Sequence, residues 1–273
     1  MKLRECIWLW GHPEGGFNNN FANYGFHGES RMTPAEFCYC FGIGKVFMVP
    51  MGFKVNRRQY NKSFSPLSEL GWECFGALDD PEKIDTILSD AKEFPNLKAT
   101  VFDDFIQQSD ARIKDGKEPI DPKVLWDIRT RLRENNVRPL DMWMVLYTHE
   151  FGLDERNDAS FKKYIEPFDG VIVWNWKESD ADLIPEKFEH FKKMTPNSRR
   201  MFGCYLWNFG ESKEATADAV IKQLDFYREK ILSGEAEGIV LHTNTMADAD
   251  LAAYDATLEW MKLHGDEEIP NQR

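Results

Sequence analysis

The chain has 273 residues, and 34 Lys and Arg stand against 46 Asp and Glu, a formal charge of −12. That length fits one large domain or two small ones, and the acidity argues against a nucleic-acid backbone or an anionic membrane as the main partner, because phosphates are repelled. Hydrophobic residues at 42% and charged ones at 29% are the balance of a folded globular chain, and 20 Phe, 9 Trp and 8 Tyr form an aromatic excess that is either bulky core or a stacking surface.

The start, MKLRECIWLWGHPEGG, has an apolar run that stops at Trp10 with no small-residue cleavage site after it. Cytoplasmic is therefore the default expectation, with a secreted or periplasmic address only where a leader has been cut away. No run of 18 apolar residues predicts a membrane-spanning helix. The first apolar segment, 6–11, ends in Trp10-Gly11-His12, and a Gly- and Asn-rich stretch, 13–30, follows. Thr33-Pro34-Ala35-Glu36 spells a capping box before a helix. The second segment, 45–52, ends in Pro50-Met51-Gly52, and a weak helical pattern lies around 56–70. The third, 71–78, places Trp72-Glu73 mid-strand and runs out at Asp79-Asp80. A helix over 81–94 aligns Ile84, Ile87, Leu88 and Ala91, with Asp80 and Pro81 at its start.

The fourth segment, 98–105, ends in Asp103-Asp104-Phe105; a long loop is expected over 105–120, and a helix opens near Asp121-Pro122. The fifth, 141–150, ends in Tyr147-Thr148-His149-Glu150. The sixth, 169–176, ends in Trp174-Asn175-Trp176-Lys177. The seventh, 201–209, ends in Trp207-Asn208-Phe209, and an amphipathic stretch follows over 214–232. The eighth, 237–244, ends in His242-Thr243-Asn244, before a last helix over 248–263. The segments are near-continuous apolar runs, as in a parallel sheet covered by helices. Eight of them alternating with helices predict a single (β/α)8 barrel spanning 1–273, a fold that typically needs ~250 residues. A doubly wound open sheet fits less well. No glycine-rich phosphate turn follows an early strand, Gly42-Ile43-Gly44 precedes one instead, and no linker divides the units.

In such a barrel the active site lies at the C-terminal ends of the strands. Those ends here carry carboxylates, amides, imidazoles and tryptophans, and seven of the nine tryptophans stand on or beside strands, Trp126 and Trp260 being on helices. Indole faces suit the C–H faces of a sugar ring, and the polar groups suit its hydroxyls. Cleaving a glycosidic bond needs two carboxyl groups flanking it. Asp103 and Asp104 are the strongest signal, since adjacent carboxylates at the end of an apolar strand are hard to justify as core. Neighbouring carboxyls also separate into acid and base. Strand alternation expects one of them to face the pocket. Glu150 and Glu73 are the partner carboxyls. Trp10, His12, His149, Trp174, Asn175, Trp176, Trp207, Asn208, His242 and Asn244 are the substrate-binding candidates, with Trp174 and Trp176 sent to one face and Asn175 to the other.

Other features have plainer readings. Asp79 and Asp80 belong to helix capping. Lys54, Arg57 and Arg58 could bind an anionic substituent, but such runs are usually solvated loops. His27, His190 and His264 look like surface residues. Cys6, Cys38, Cys40, Cys74 and Cys204 are an odd number without a CxxC pair, so no disulfide framework or zinc site is expected.

The eight-unit pattern, with VFDDF (101–105) at the fourth strand and aromatic-amide ends on later ones, resembles (β/α)8-barrel glycoside hydrolases and their uncharacterised relatives. The likeness implies a catalytic aspartate at the end of the fourth strand, where Asp103 and Asp104 stand. Chitinase-like families carry a longer acidic motif ending in Glu there, and this chain has Phe105-Ile106 instead. The commonest glycosidase clan has Asn-Glu at the fourth strand and Glu at the seventh, and here the seventh ends in Trp207-Asn208. No specific family is assigned. The expectation is a glycoside hydrolase acting on a carbohydrate substrate, without cofactor or bound metal. The alternatives are a metal-dependent sugar isomerase or epimerase, with His and Glu ligands at the rim, and a non-catalytic sugar-binding barrel. The sugar and the oligomeric state are left open.

Overall fold

The computed structural model describes residues 1–270. Eight parallel strands close into one barrel in sequence order, each hydrogen-bonded to the next and the last to the first. They are β1 (Ile7–Gly11), β2 (Lys45–Met48), β3 (Glu69–Glu73), β4 (Leu97–Phe102), β5 (Asp141–Tyr147), β6 (Gly170–Trp174), β7 (Arg199–Tyr205) and β8 (Gly238–His242). The surrounding helices are α1 (Pro34–Phe41), α2 (Arg57–Ser63), α3 (Glu82–Glu93), α4 (Phe105–Lys114), α5 (Pro122–Arg133), α6 (Glu155–Ile165), α7 (Ile184–Met194), α8 (Ala217–Leu232) and α9 (Ala252–His264). This is the (β/α)8 fold that the alternating pattern predicts.

Local chemistry sets the helix starts. Thr33 and Glu36 exchange side-chain bonds with each other's backbone at the start of α1, so the capping box forms. The side chains of Asn56, Asp121 and Thr216 each accept one backbone N–H at the starts of α2, α5 and α8, and Pro122 takes the first turn of α5. Two elements differ from expectation. Residues 105–114 are helical, so the fourth unit carries two helices, and α4 buries only Phe105, which is why no apolar period marks it. β3 stops at Glu73, and a short 3₁₀ turn, Phe75–Leu78, replaces the rest of the expected strand. Glu73 is thus at the rim and not mid-strand.

Strand alternation splits the apolar residues into two layers. Trp8, Trp10, Phe47, Val101, Trp143, Val145, Trp174 and Val240 fill the barrel interior, while Ile7, Leu9, Met48, Trp72, Phe102 and Phe202 face the helices. The interior rings stack and cross, with Trp8 on Phe47 at 4.3 Å and Trp10 edge-on to Trp174 at 5.4 Å. No helix among the described residues is long and apolar enough to cross a membrane.

Candidate active site

The C-terminal rim of the barrel opens into a cleft of about 570 Å³. Asp103 follows β4 and continues the inward alternation of Ala99 and Val101. Asp104 departs from alternation. It takes a left-handed conformation (φ 46°) at the N-cap of α4, and this turn brings it onto the cleft beside Asp103. Both aspartates therefore line the cleft, where strand alternation expects one. Glu73, ending β3, lines it too, and its Oε1 accepts the Phe75 N–H at 2.5 Å.

Three carboxyls in one part-desolvated space disfavour ionisation. Burial, then Asp104 and Glu73, push Asp103 well above the usual carboxylate range, and only the backbone N–H of Asp104 opposes this. Burial raises Asp104 as well, and the hydrogen bond that the Tyr147 hydroxyl donates to its Oδ1 at 2.6 Å opposes part of that rise. Burial raises Glu73 against the Phe75 N–H, Lys83 and Arg57. The hydroxyls of Tyr147 and Tyr205 lie 3.3 Å apart, and since the Tyr147 proton is directed at Asp104, Tyr205 is the donor between them. Neither tyrosine is a candidate from sequence, where the tryptophans stand for the aromatic contacts. The signal available was register, because Tyr147 shares the inward face of Trp143 and Val145.

Trp10, His12, Trp176 and His242 also line the cleft. His12 and His242 face each other, Nε2 to Nε2, at 3.1 Å, and burial pulls His12 down to about 4 and His242 well below its ordinary value. Trp174 lies under the floor, 2% exposed, against Trp10, Tyr205 and His242.

The structure places the remaining candidates elsewhere. Glu150 turns back so that its Oε2 accepts the Tyr147 N–H at 2.8 Å, away from the cleft lining, and burial pushes it up to about 7. His149 is exposed and stacks on the outer side of Tyr147 at 5.4 Å. Asn175 faces the helix side, as alternation predicts, where it bonds Thr148 and the Lys177 carbonyl. Trp207 donates its indole N–H to the Tyr24 carbonyl at 2.8 Å and so holds the 13–30 loop. Asn208 braces a turn through Glu211 and the Glu178 N–H. Asn244 clamps the His12 backbone and the Met32 carbonyl. Each of these amides is satisfied by its own chain, so a buried amide at a strand end did not need a ligand.

Two of the three members of the basic run are likewise committed, and Lys54 stands exposed on the loop. Arg57 pairs with Asp90 and covers the Trp72 ring, and Arg58 pairs with Glu93. Asp79 pairs with Arg112 and Lys117 and does not cap a helix. His190 and His264 are half-buried, the first against Asp158 and Phe151 and the second against Trp260. Cys38 is buried and Cys40 exposed, so the pair does not converge. Among the described residues no group of three or more His, Cys, Asp or Glu is arranged to hold a metal ion.

The sequence matches no protein-family profile and no curated protein. Solved structures with a similar fold include active domain 2 of a chitinase from Pyrococcus furiosus, 10% identical with a TM-score of 0.59 over 96% of each chain. A GH18 chitinase from Pseudoalteromonas aurantia is 12% identical with a TM-score of 0.55, over 94% of this chain and 98% of its own. A GH99 endo-alpha-mannosidase from Bacteroides thetaiotaomicron is 10% identical with a TM-score of 0.56, over 93% of this chain and 86% of its own. Tryptophan synthase from M. tuberculosis is similar as well. At these identities the likeness is one of fold. The chain is a (β/α)8 barrel of the kind that glycoside hydrolases use, and one fold hosts many chemistries.

Proposed function

We propose that this barrel hydrolyses a glycosidic bond, with Asp103 as the proton donor and Asp104 as the ionised carboxylate that faces the developing positive charge. The observation that carries this reading is the unlike surroundings of two adjacent carboxyls. Asp103 is crowded by Asp104 and Glu73 and receives only a backbone N–H, so it keeps its proton. Asp104 accepts a hydrogen bond from the Tyr147 hydroxyl at 2.6 Å, which favours its charged form against the burial that raises it. Two carboxyls with environments that push their pKa values apart are what acid-assisted bond cleavage requires. Trp176, partly exposed on the cleft wall, supplies apolar surface for a sugar ring, and Trp10 is buried beneath the cleft. Glu73 is the third carboxyl on the wall and the partner that Glu150, turned onto the backbone, is not.

A screen of the purified chain against aryl glycosides and glycans tests the activity. Asp103→Asn and Asp104→Asn are each expected to lower kcat/KM on a natural linkage by about 10²–10⁴-fold. Their roles separate on a dinitrophenyl glycoside, whose leaving group needs no proton. Asp103→Asn should regain most of its rate there, and Asp104→Asn should not. Full activity in both variants would remove this site from consideration.

A further inference from the structure

The floor of the cleft carries a recognition element that the carboxyl chemistry does not use. His12 Nδ1 lies 2.8 Å from the Val49 carbonyl, which can only accept, so this nitrogen holds a proton. His12 Nε2 and His242 Nε2 stand 3.1 Å apart with one proton between them. Burial keeps both rings uncharged, so two protons serve four nitrogens. The first is on His12 Nδ1. The second is therefore on His242 Nε2, donated to His12 Nε2. His242 Nδ1 remains a bare lone pair, buried and without a partner. The His242 ring is collared by those of Phe209, Tyr205 and Phe17, with centroids 4.8, 4.9 and 5.8 Å from its own. An acceptor held in such a collar is costly to leave unmet.

The rest of the cleft has the same polarity. Asp103, Asp104 and Glu73 accept when ionised, and Lys83 is the one Lys or Arg among the described lining residues. Arg57 and Arg58, on the helix after the second rim loop, are paired with Asp90 and Glu93, and Lys54 lies outside the cleft lining. A negatively charged sugar would meet three carboxyls with Lys83, which already faces Glu73, as the one lining cation to offset them. We infer that the cleft is selective for a neutral or amine-bearing sugar that delivers one hydroxyl or N–H proton to His242 Nδ1, and that it rejects uronic acids and sulfated sugars. This rests on the glycosidase reading and names the substrate class of that site.

The test is a glycan array bearing neutral, amino, uronic and sulfated oligosaccharides, probed with the wild-type chain and with His242→Phe. Binding is expected on the neutral and amino sugars, weakened roughly ten-fold in the variant, as loss of one hydrogen bond to the ligand implies. Imidazole ¹⁵N NMR of the wild-type chain needs no substitution. It should find His12 Nδ1 protonated and His242 Nδ1 unprotonated, the latter signal moving when a neutral array glycan is added. Strongest binding to uronic or sulfated glycans overturns the inference and leaves the glycosidase reading standing. A protonated His242 Nδ1, or unchanged affinity in a folded His242→Phe chain, does the same. Failure to bind or cleave any glycan overturns both.

Discussion

The Tyr147 hydroxyl has one proton, and it points at Asp104 Oδ1, 2.6 Å away. Donation to the charged form lowers the carboxyl's pKa, against the burial that raises it. Tyr147→Phe removes the donor and keeps the ring, so Asp104 should titrate at higher pH. The acid limb of kcat/KM then moves upward, with a loss of about 10-fold or more at neutral pH, the value of a hydrogen bond to a charged group. An acid limb that stays in place would show that Asp104 is not the group whose ionisation the reaction needs. The place of the Asp pair on the cleft was legible in sequence because two adjacent carboxylates do not sit at the end of an apolar strand as core. Glu150 was misleading for a reason equally local. The turn after Tyr147 folds its carboxyl back onto the Tyr147 N–H, and strand-end position alone does not encode that reversal. Trp207, Asn208 and Asn244 share this history, since each sits at a strand end and spends its polar group on the loop above it.

At the scale of elements, the aromatic excess is accommodated by a repeated pairing. Phe47 on β2 stands in register with Gly71 on β3, Trp143 on β5 with Gly170 on β6, and Trp174 on β6 with Gly203 on β7. In each case a Cβ on the glycine would fall within the ring of its partner. The glycines are thus the floor on which the interior rings lie, and a barrel of eight strands closes around side chains this large only because of them. Gly203→Ala forces the Trp174 ring off its seat. Overpacking of this kind costs about 1–3 kcal/mol, which lowers Tm by several degrees in a chain of this size. Trp174→Leu in the same chain should restore part of the loss, and a double-mutant cycle reads the coupling. Additive effects would mean that the two residues do not share the space. This pairing could not be read along one strand, because it depends on register between strands. The eight strands themselves could be read, since each is a continuous apolar run. β3 was misjudged at its end because CFGAL looks as apolar as a strand, and α4 was missed because a helix burying one residue has no period.

At the scale of the molecule, the same burial that prepares the cleft shapes stability against pH. Glu150 moves from 4.5 to about 7 on folding. A carboxyl raised in this way stabilises the fold below its unfolded value, and that contribution is lost as pH rises through its folded value. Asp103, Asp104 and Glu73 act in the same direction. His12 runs the other way, from 6.5 down to about 4, so its contribution is present above 6.5 and is lost as pH falls toward 4. His242, also depressed, adds to that acid-side loss. The two sets oppose each other between pH 4.5 and 6.5 and leave the carboxyls unopposed above it, where the formal charge of −12 adds self-repulsion. Glu150→Gln isolates one member of the set, because an amide oxygen still accepts the Tyr147 N–H but cannot ionise. The variant should unfold at the same temperature as wild type below about pH 4.5, gain on it through pH 7, and hold a constant lead from about pH 8. Thermal unfolding of both chains across that range checks the shape. A difference that does not vary with pH would mean that Glu150 is solvated in the folded chain. The turn that carries it off the cleft would then be no more than a loop, and Glu150 would return as a candidate partner for the aspartate pair.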